Sequence, residues 1–396
     1  MEKIGTSAKY LMASDVIYTI TSLFANTFLV AYLLNVTEDN IVIVSLYNIV
    51  LYFVIGLGFY ISGYFIKKHP EKRLKMLSLG IIVRAMFILS IVLLGEKIST
   101  YFIFVAIFFG ISEVLYWNPH ELVYMEITTN KNRKKYFSLK KSFSIIAKIV
   151  TPLILGFSIE YASFSKVAIY IFVLSLLHIY LTCKINVKEF NENNRNLKYD
   201  IKNYINKIKN KKNLINLYKT SFLYGIICDT IAVLVVIITI MTYKTSLNLG
   251  ILTTIFSICS IGSMYIFKKY YNQTNSKKIL LICSILILFG VLGLLVDINK
   301  LTFVIYNFVY TILFCILDVI YNTKKADIIL ECNIKNDIVE HSVFSDLVMN
   351  LGRILGFLLM LICGVIGNIL SFKILLFIVS MMIPIYSYII YKIDNI

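Results

Sequence analysis

The chain has 396 residues, of which 59% are hydrophobic, well above the roughly 45–50% of soluble globular domains. This composition excludes an ordinary soluble domain and predicts a protein built from membrane-spanning helices. The first apolar run has no small-residue cleavage site after it, so we expect the first helix to remain in the protein. The net charge of +17 lies in loops between apolar runs and does not indicate a nucleic-acid partner.

Seven cysteines are scattered, mostly within apolar runs. They form no CxxC pair and no cluster with histidine, so we interpret them as small buried residues and not as metal or disulfide sites. A GxxxxGK[ST] phosphate-binding loop is absent from the sequence. The sequence therefore predicts no metal, no cofactor and no ATP-driven step.

Twelve segments are long and apolar enough to cross the hydrocarbon core, which needs about 20 residues. In chain order they are 9–34, 40–66, 74–95, 100–126, 138–159, 166–184, 219–242, 249–267, 279–297, 301–323, 346–366 and 372–391. The predicted fold class is all-α integral membrane, with twelve transmembrane helices.

The loops between these segments alternate in charge. Basic loops follow the second, fourth and eighth segments, whereas loops such as "NVTEDN" and "GNILSF" are nearly free of lysine. The positive-inside rule assigns the basic loops to the cytoplasm. With an even number of spans, both termini are then cytoplasmic, and the expected location is the cell membrane.

One long polar segment, residues 184–218, interrupts the array and carries many lysines. It separates an N-terminal six-helix bundle, residues 1–183, from a C-terminal six-helix bundle, residues 219–396. Ile201, Ile205 and Ile208 recur at helical spacing, which favours a linker that lies on the anionic membrane surface. A regulatory partner site is the alternative.

The two halves show an internal repeat. At an offset of 205 residues Glu113 matches Asp318, Tyr116 matches Tyr321, Glu126 matches Glu331 and Lys148 matches Arg353. Rare intramembrane charges of the same sign and order, at the same spacing in both halves, indicate two pseudo-symmetric bundles. Two homologous six-helix halves are a known transporter plan.

The second-to-third loop, "GYFIKKHPEKRLK", contributes Gly63 and the basic residues Lys68, Lys72 and Arg73. It resembles the G-x-x-x-D-R-x-G-R-R signature of the major facilitator superfamily (MFS), with Lys67 in place of the aspartate. After span four, Glu126 and Arg133 match the E-x6-R pattern of that family. The resemblance implies that these residues, together with Glu331, brace a cytoplasmic gate.

Span five carries "AKIVTPLILG", which resembles the G-x-x-x-G-P-x-x-x-G motif of drug–proton antiporters. Ala147 and Thr151 replace the glycines, while Pro152 and Gly156 are present. Small residues in this pattern allow close helix approach. Over the whole chain, the resemblance implies an MFS fold working by alternating access.

Glu113 lies near the middle of span four, where a carboxylate facing lipid would cost several kcal/mol. We expect Lys148 on span five to pair with it, and Arg353 to pair with Asp318 in the second half. Such pairs could hold each half together, or at least one of these acids could bind substrate or a proton. The sequence leaves both alternatives open.

Asp15, Arg84 and Asp229 are further intramembrane charges. Asp229 has no repeat-mate and no basic neighbour in sequence, so we expect it to be unpaired and available for chemistry. Asp15 is close to the start of span one and is expected near the interface. Tyr116 and Tyr321, one turn from their acids, could contact organic cations through their rings, although packing is the commoner role of such aromatic residues.

The predicted function is secondary transport of a small molecule, with protons as the expected coupling ion and with efflux of amphipathic or cationic compounds as the preferred activity. Uptake of a sugar or another metabolite is the alternative within this class. Besides the substrate, the expected partners are protons and membrane lipid.

Two other functional classes fit the sequence less well. A membrane-embedded transferase would need clustered histidines or nucleophiles, but the four histidines are dispersed in the sequence, and we predict that the protein is not an enzyme. A non-transporting sensor or scaffold would be expected to carry an extended soluble domain. Lys67, in place of the signature aspartate, is the feature in favour of that class.

Overall fold

The computed structural model describes residues 5–128, 133–186, 199–270, 275–332 and 337–393. Within these ranges the chain is helical, and no strand occurs in them. The prediction of an all-α fold is confirmed.

The helices of the first half begin with α1, which continues through a π-helical turn at Phe24–Phe28 into α2. Their bounds are α1 Thr6–Leu23, α2 Leu29–Val36, α3 Ile41–Lys68, α4 Arg73–Leu94, α5 Ile98–Ile127, α6 Arg133–Ala162 and α7 Phe164–Cys183. Short 3-10 turns at Pro70–Lys72 and Gly95–Lys97 lie at the two ends of α4.

A short helix, α8, precedes the helices of the second half. The bounds are α8 Ile201–Ile208, α9 Lys212–Tyr243, α10 Ser246–Tyr270, α11 Ser276–Val296, α12 Lys300–Glu331, α13 Ile338–Ile366 and α14 Ile369–Lys392. Several helices extend past the apolar runs that predicted them. α13 begins at Ile338, for example, although its apolar run begins at 346, because its first two turns, "IVEHSVFS", mix polar with apolar residues.

Eleven helical segments of the described chain are long and apolar enough to cross a membrane. One of them, Pro70–Tyr124, has 55 residues and contains both α4 and α5. A single span needs only about 20 residues, so this segment is long enough for two crossings. The multi-pass membrane character is confirmed, and the number twelve stays a prediction.

The chain divides into two compact units. The first comprises Met1–Asp39, Val50–Tyr199 and Thr245–Ile251, and the second comprises Asn40–Ile49, Asp200–Lys244 and Leu252–Ile396. The sequence-based bounds 1–183, 184–218 and 219–396 stay a prediction.

In the first unit, α4 and α5 approach closely at Gly80. A Cβ atom on Gly80 would lie 2.7 Å from the backbone carbon of Leu115 and 2.8 Å from the backbone nitrogen of Tyr116. Only glycine allows this approach. It sets Arg84, one turn further along α4, beside the middle of α5.

In the second unit, α9 and α13 cross at Gly225, Gly352 and Gly356. A Cβ on Gly352 would collide with the backbone oxygen of Phe222, and one on Gly225 would collide with that of Met349. Small residues at such a crossing bring two helix backbones together, as in other membrane helix pairs.

The helix α8 lies against the second unit. Asp200 caps its start by accepting a hydrogen bond from the backbone N–H of Asn203 at 2.9 Å. The buried hydroxyls of Tyr204 and Tyr218 share a hydrogen bond of 2.6 Å, and Lys207 pairs with Asp337 at 2.9 Å. Ile201, Ile205 and Ile208, which recur at helical spacing in the sequence, therefore lie on a helix. These contacts attach α8 to the starts of α9 and α13.

Candidate functional site

A cavity of about 370 Å³ lies among α1, α5 and α6 in the first unit. This volume falls within the range of small-molecule sites. Its lining combines four charged groups with aromatic and small polar side chains: Asp15, Val16, Tyr18, Thr19, Ser22, Leu23, Asn26, Glu113, Trp117, Lys140, Ser144 and Lys148.

Glu113 is held on both carboxylate oxygens. Arg84 pairs with Oε1, and Tyr18 donates a hydrogen bond to the same oxygen at 2.6 Å. The indole N–H of Trp117 donates to Oε2 at 3.2 Å. The partner of Glu113 is therefore Arg84, and the expected pairing with Lys148 is corrected, because the close approach of α4 at Gly80 sets the guanidinium beside the carboxylate.

Arg84 itself is buried, with a side-chain exposure of 1%. Its Nε donates to Thr21 Oγ1 at 3.0 Å and its Nη2 donates to Ser22 Oγ at 2.7 Å. Its guanidinium carbon lies 4.5 Å from the centroid of the Tyr18 ring. The planar guanidinium thus ties α1, α4 and α5 together at one point, which a lysine could not do with the same geometry.

Asp15 is buried in the first unit, and its expected position near the membrane interface stays a prediction. It pairs with Lys140 Nζ at 2.9 Å, and its Oδ1 lies 2.7 Å from His120 Nε2. Tyr116 donates a hydrogen bond to the same Oδ1 at 2.7 Å. A buried carboxylate costs free energy unless it is paired and hydrogen-bonded, and these three neighbours meet that requirement.

Lys140, Ser144 and Lys148 are four residues apart on α6, so they lie on one face of the helix. All three line the cavity. Lys140 is paired with Asp15. Among the residues that the structure describes, no side chain lies within ion-pairing distance of the Lys148 ammonium.

In the second unit the ion pair joins Asp229 on α9 to Arg353 on α13, with Arg353 Nε 2.7 Å from Asp229 Oδ2. Arg353 also donates to Asn350 Oδ1 at 3.0 Å. The expectation that Asp229 is unpaired is wrong, because Arg353 is its salt-bridge partner in the structure. The glycine crossing of α9 and α13 brings the two residues together. The expected pairing of Arg353 with Asp318 stays a prediction.

Two tyrosines occupy equivalent positions in the halves. Tyr116 bonds to Asp15 on α1 at 2.7 Å, and Tyr321 bonds to Ser221 on α9 at 2.7 Å. Tyr116 stacks on Tyr18 with ring centroids 3.7 Å apart. Asp15 and Ser221 are 206 residues apart in sequence, so the contact is repeated while one of its partners has changed.

The stacking contact is repeated as well. Tyr321 stacks on Tyr224 with centroids 5.6 Å apart, and Tyr224 follows Tyr18 by 206 residues. Asp318, at the position of Glu113, interacts electrostatically with Tyr224 and accepts a hydrogen bond from Asn322 at 2.9 Å. The contact between α1 and α5 in the first half and the contact between α9 and α12 in the second half are therefore made by the same kind of tyrosine pair.

The predicted gate residues are only partly described. The side chains of Glu126 and Arg133 lie outside the described residues. Glu331 is exposed at the end of α12. Their role as a gate stays a prediction.

The signature loop joins α3 to α4. Gly63 is buried near the end of α3, Lys68 is exposed with its ammonium 5.6 Å from the Tyr64 ring, and Arg73 is buried at the start of α4. The loop between them is a 3-10 turn that begins at Pro70. Its role in gating also stays a prediction.

The span-five motif faces the start of α10. A Cβ on Gly156 would lie 2.7 Å from the backbone oxygen of Ser246 and 3.0 Å from the Cα of Gly250. One on Gly250 would collide with the backbone oxygen of Pro152. Ala147 and Thr151, in the same motif, are buried. The motif therefore lies where two helix backbones are in contact.

Four residues that line the cavity or bind Asp15 were missed by the sequence analysis: Tyr18, Trp117, His120 and Lys140. Spacing was the available signal, because Glu113, Trp117 and His120 recur at four and three residues along one face of α5. Trp117 is 41% exposed and lines the cavity.

The described residues contain no group of three or more His, Cys, Asp or Glu side chains that could hold a metal ion. Asp15 and His120 form a pair of such side chains, with Lys140 as their third neighbour.

Comparison with known proteins finds similar proteins that match nearly the whole chain. The chain is 23% identical over 357 residues to the uncharacterized protein YqgE of Bacillus subtilis (strain 168), covering 89% of this chain and 81% of that protein. The nucleoside transporter NupG matches with a TM-score of 0.72 at 11% identity, covering 99% of this chain and 100% of its own.

A bacterial homologue of the iron transporter ferroportin, in its inward-facing state, matches with a TM-score of 0.71 at 11% identity over 100% of both chains. At these identities the two solved structures show the fold alone. The sequence model of the Major Facilitator Superfamily matches residues 11–325, most of the chain. The fold, the repeat and this match agree, and the chain belongs to the Major Facilitator Superfamily.

Proposed function

We propose that this MFS transporter is a proton-coupled secondary transporter that moves a small amphipathic compound out of the cell by alternating access. It would act in the cell membrane with both termini in the cytoplasm. The relatives with solved structures are named for a nucleoside and for iron, so the fold does not select a substrate, and the proposal is based on the cavity.

The cavity that carries the proposal holds two acids with different partners in one 370 Å³ space. Glu113 is bound by the permanently charged Arg84. Asp15 is bound by the imidazole of His120 and the ammonium of Lys140. Intramembrane acids with such partners mark proton relays in many transporters.

The two acids suit different roles. Protonation of Asp15 would weaken the pairing that ties α1 to α5 and α6, because it removes the negative charge that His120 and Lys140 face. Glu113 keeps a permanent counter-charge and fixes the cavity wall. We therefore assign proton coupling to the Asp15–His120–Lys140 cluster and substrate positioning to the wall near Glu113 and Trp117.

The cavity chemistry favours an amphipathic compound over a simple organic cation. Both of its carboxylates already have cationic partners, whereas Tyr18 and Trp117 offer aromatic surface and Ser22, Asn26 and Ser144 offer polar groups. The direction, export, is supported by the resemblance of the span-five motif to drug–proton antiporters. Uptake of a sugar or another metabolite is the alternative.

The test uses inside-out vesicles with an imposed proton gradient and a pH-sensitive dye. Amphipathic anions, cations, neutral compounds, sugars and amino acids are added in turn. Substrate-evoked proton movement is expected in the wild type and should be lost in Asp15→Asn, because that variant removes the charge at the centre of the cluster. Glu160→Gln, an exposed carboxylate near the end of α6, is the matched control and should leave the signal unchanged.

Right-side-out vesicles separate export from uptake, because the orientation of the protein is then reversed. The same substrate should evoke proton movement only when it is supplied on the opposite side of the vesicle membrane. If Asp15→Asn keeps full proton coupling while substrate still moves, the assignment of the coupling site is wrong. If radiolabelled substrate moves without any proton movement in the wild type, proton coupling itself is wrong.

A further inference from the structure

The two halves differ in whether the repeated intramembrane cation has an acidic partner. In the second half, the cation on span eleven, Arg353, is neutralised by Asp229 on span seven. Its repeat-mate in the first half is Lys148, 205 residues earlier. The residue 206 positions before Asp229, the offset that relates Tyr18 to Tyr224, is Leu23. The first half therefore keeps the cation and lacks the aspartate.

Leu23 and Lys148 both line the cavity of the first unit. The two positions that form an ion pair in one half thus border a common empty space in the other. Leu23 also lies at the entry to the π-helical turn Phe24–Phe28, a distortion that is often found at functional sites.

Lys148 is in the middle of α6, a helix of 30 residues. At 1.5 Å per residue its Cα is about 22 Å from either end of the helix. An ammonium at that depth is costly unless it faces water or an opposite charge, and it is a functional-site hypothesis by default. No described side chain supplies that charge.

The other charges near the cavity cancel in pairs. Arg84 offsets Glu113, and Lys140 offsets Asp15. Lys148 therefore leaves the space with one positive charge in excess. A bound anion would complete in the first half the pairing that Asp229 completes in the second.

We propose that Lys148 binds a negatively charged group, such as a carboxylate, on the transported compound, whose apolar body contacts Trp117 and Tyr18. What this proposal implies for transport rests on the proposed function, whereas what it implies for ligand binding does not. The amphipathic substrate is then an anion or a zwitterion, and an organic cation is disfavoured.

The only tryptophan of the chain, Trp117, lines this cavity and reports binding directly. Three probes with the same aromatic body and different charge are titrated into the purified full-length protein in detergent: phenylacetate, phenethylamine and 2-phenylethanol. We expect phenylacetate to change Trp117 emission with the lowest apparent Kd of the three. Trp117→Phe gives the background signal.

Three variants test the charge. Lys148→Leu should weaken phenylacetate binding about tenfold or more, the loss expected when a charge-assisted contact is removed. Leu23→Asp should produce the same loss although Lys148 is still present, because it recreates the pair found in the second half. Lys148→Arg keeps the charge and should stay within about threefold of the wild type. Unchanged quenching by neutral acrylamide checks that each variant is folded.

Three results with the wild-type protein would overturn the proposal. They are equal affinity for the three probes, tighter binding of phenethylamine, and no saturable effect of phenylacetate on the wild type. Unchanged phenylacetate affinity in both Lys148→Leu and Leu23→Asp would do so as well. The vesicle experiment distinguishes failure of this proposal from failure of the proposed function. Anion binding without proton movement would contradict proton coupling. Proton movement evoked only by cations would contradict the role of Lys148.

Discussion

Tyr116 and Tyr321 form the same contact in the two halves of the chain, each bonding to the first helix of its own half at 2.7 Å. The partner is a carboxylate in one case, Asp15, and a hydroxyl in the other, Ser221. The repeat is thus preserved as packing, while the charge at the contact differs. This difference has measurable consequences.

Replacing each tyrosine by phenylalanine should give unequal losses of stability. Tyr116→Phe removes a hydrogen bond to a charged group, with an expected cost of about 1.5–3 kcal/mol, whereas Tyr321→Phe removes a neutral one, with a cost of about 1 kcal/mol. Thermal unfolding of the two purified variants in one detergent measures the difference. Equal losses would mean that the charge on Asp15 does not strengthen the bond.

Removing Arg84 should strongly destabilise the first unit. Arg84→Met leaves Glu113 without its counter-charge in a largely buried position, for which the expected cost is about 3–5 kcal/mol. The double variant Arg84→Met/Glu113→Gln removes both charges and should recover part of that loss. A double-mutant cycle by thermal or denaturant unfolding gives the coupling. A double variant as unstable as the sum of both singles would argue against the pair.

Glycine should be required at the crossing of α9 and α13. Gly352→Ala places a Cβ against the backbone oxygen of Phe222, and such overpacking costs about 1–3 kcal/mol. The matched control is Gly262→Ala in α10, where a Cβ would meet nothing within 4 Å and should stabilise the helix by up to about 1 kcal/mol. Unfolding temperatures of the two variants should therefore move in opposite directions.

The Asp229–Arg353 pair should be structural. Asp229→Leu alone leaves Arg353 without its partner and should lower both stability and expression, whereas the double variant Asp229→Leu/Arg353→Leu should regain stability, since buried ion pairs are often replaceable by apolar residues. Vesicle transport by the double variant should remain within a few-fold of the wild type. A stable double variant that has lost transport would instead assign the pair to the transport mechanism.

The architecture was predictable because its signals are local. Apolar runs of about 20 residues and alternating basic loops depend on each segment alone. The internal repeat could also be found, since Glu113, Tyr116 and Lys148 recur at one offset. The unusual residues of the site, Asp15, Glu113 and Lys148, were identified by their mere presence in apolar helices.

The pairing of those residues was not predictable in the same way. Glu113 had two candidate cations, Arg84 and Lys148, and the choice between them depends on how closely α4 approaches α5 at Gly80. Asp229 looked unpaired because its partner is 124 residues away in sequence. Both outcomes depend on glycines that bring two backbones together, and a single sequence does not reveal which helices those glycines face.

The difference between Leu23 and Asp229 has an evolutionary consequence. If the two halves descend from one duplicated segment, a single substitution at this position decides whether a half closes on its own cation or offers it to a ligand. Charge selectivity could then be gained, lost or inverted by one codon change, while the helices that carry it remain as they are. A family with one scaffold and many cargoes could diversify through such steps.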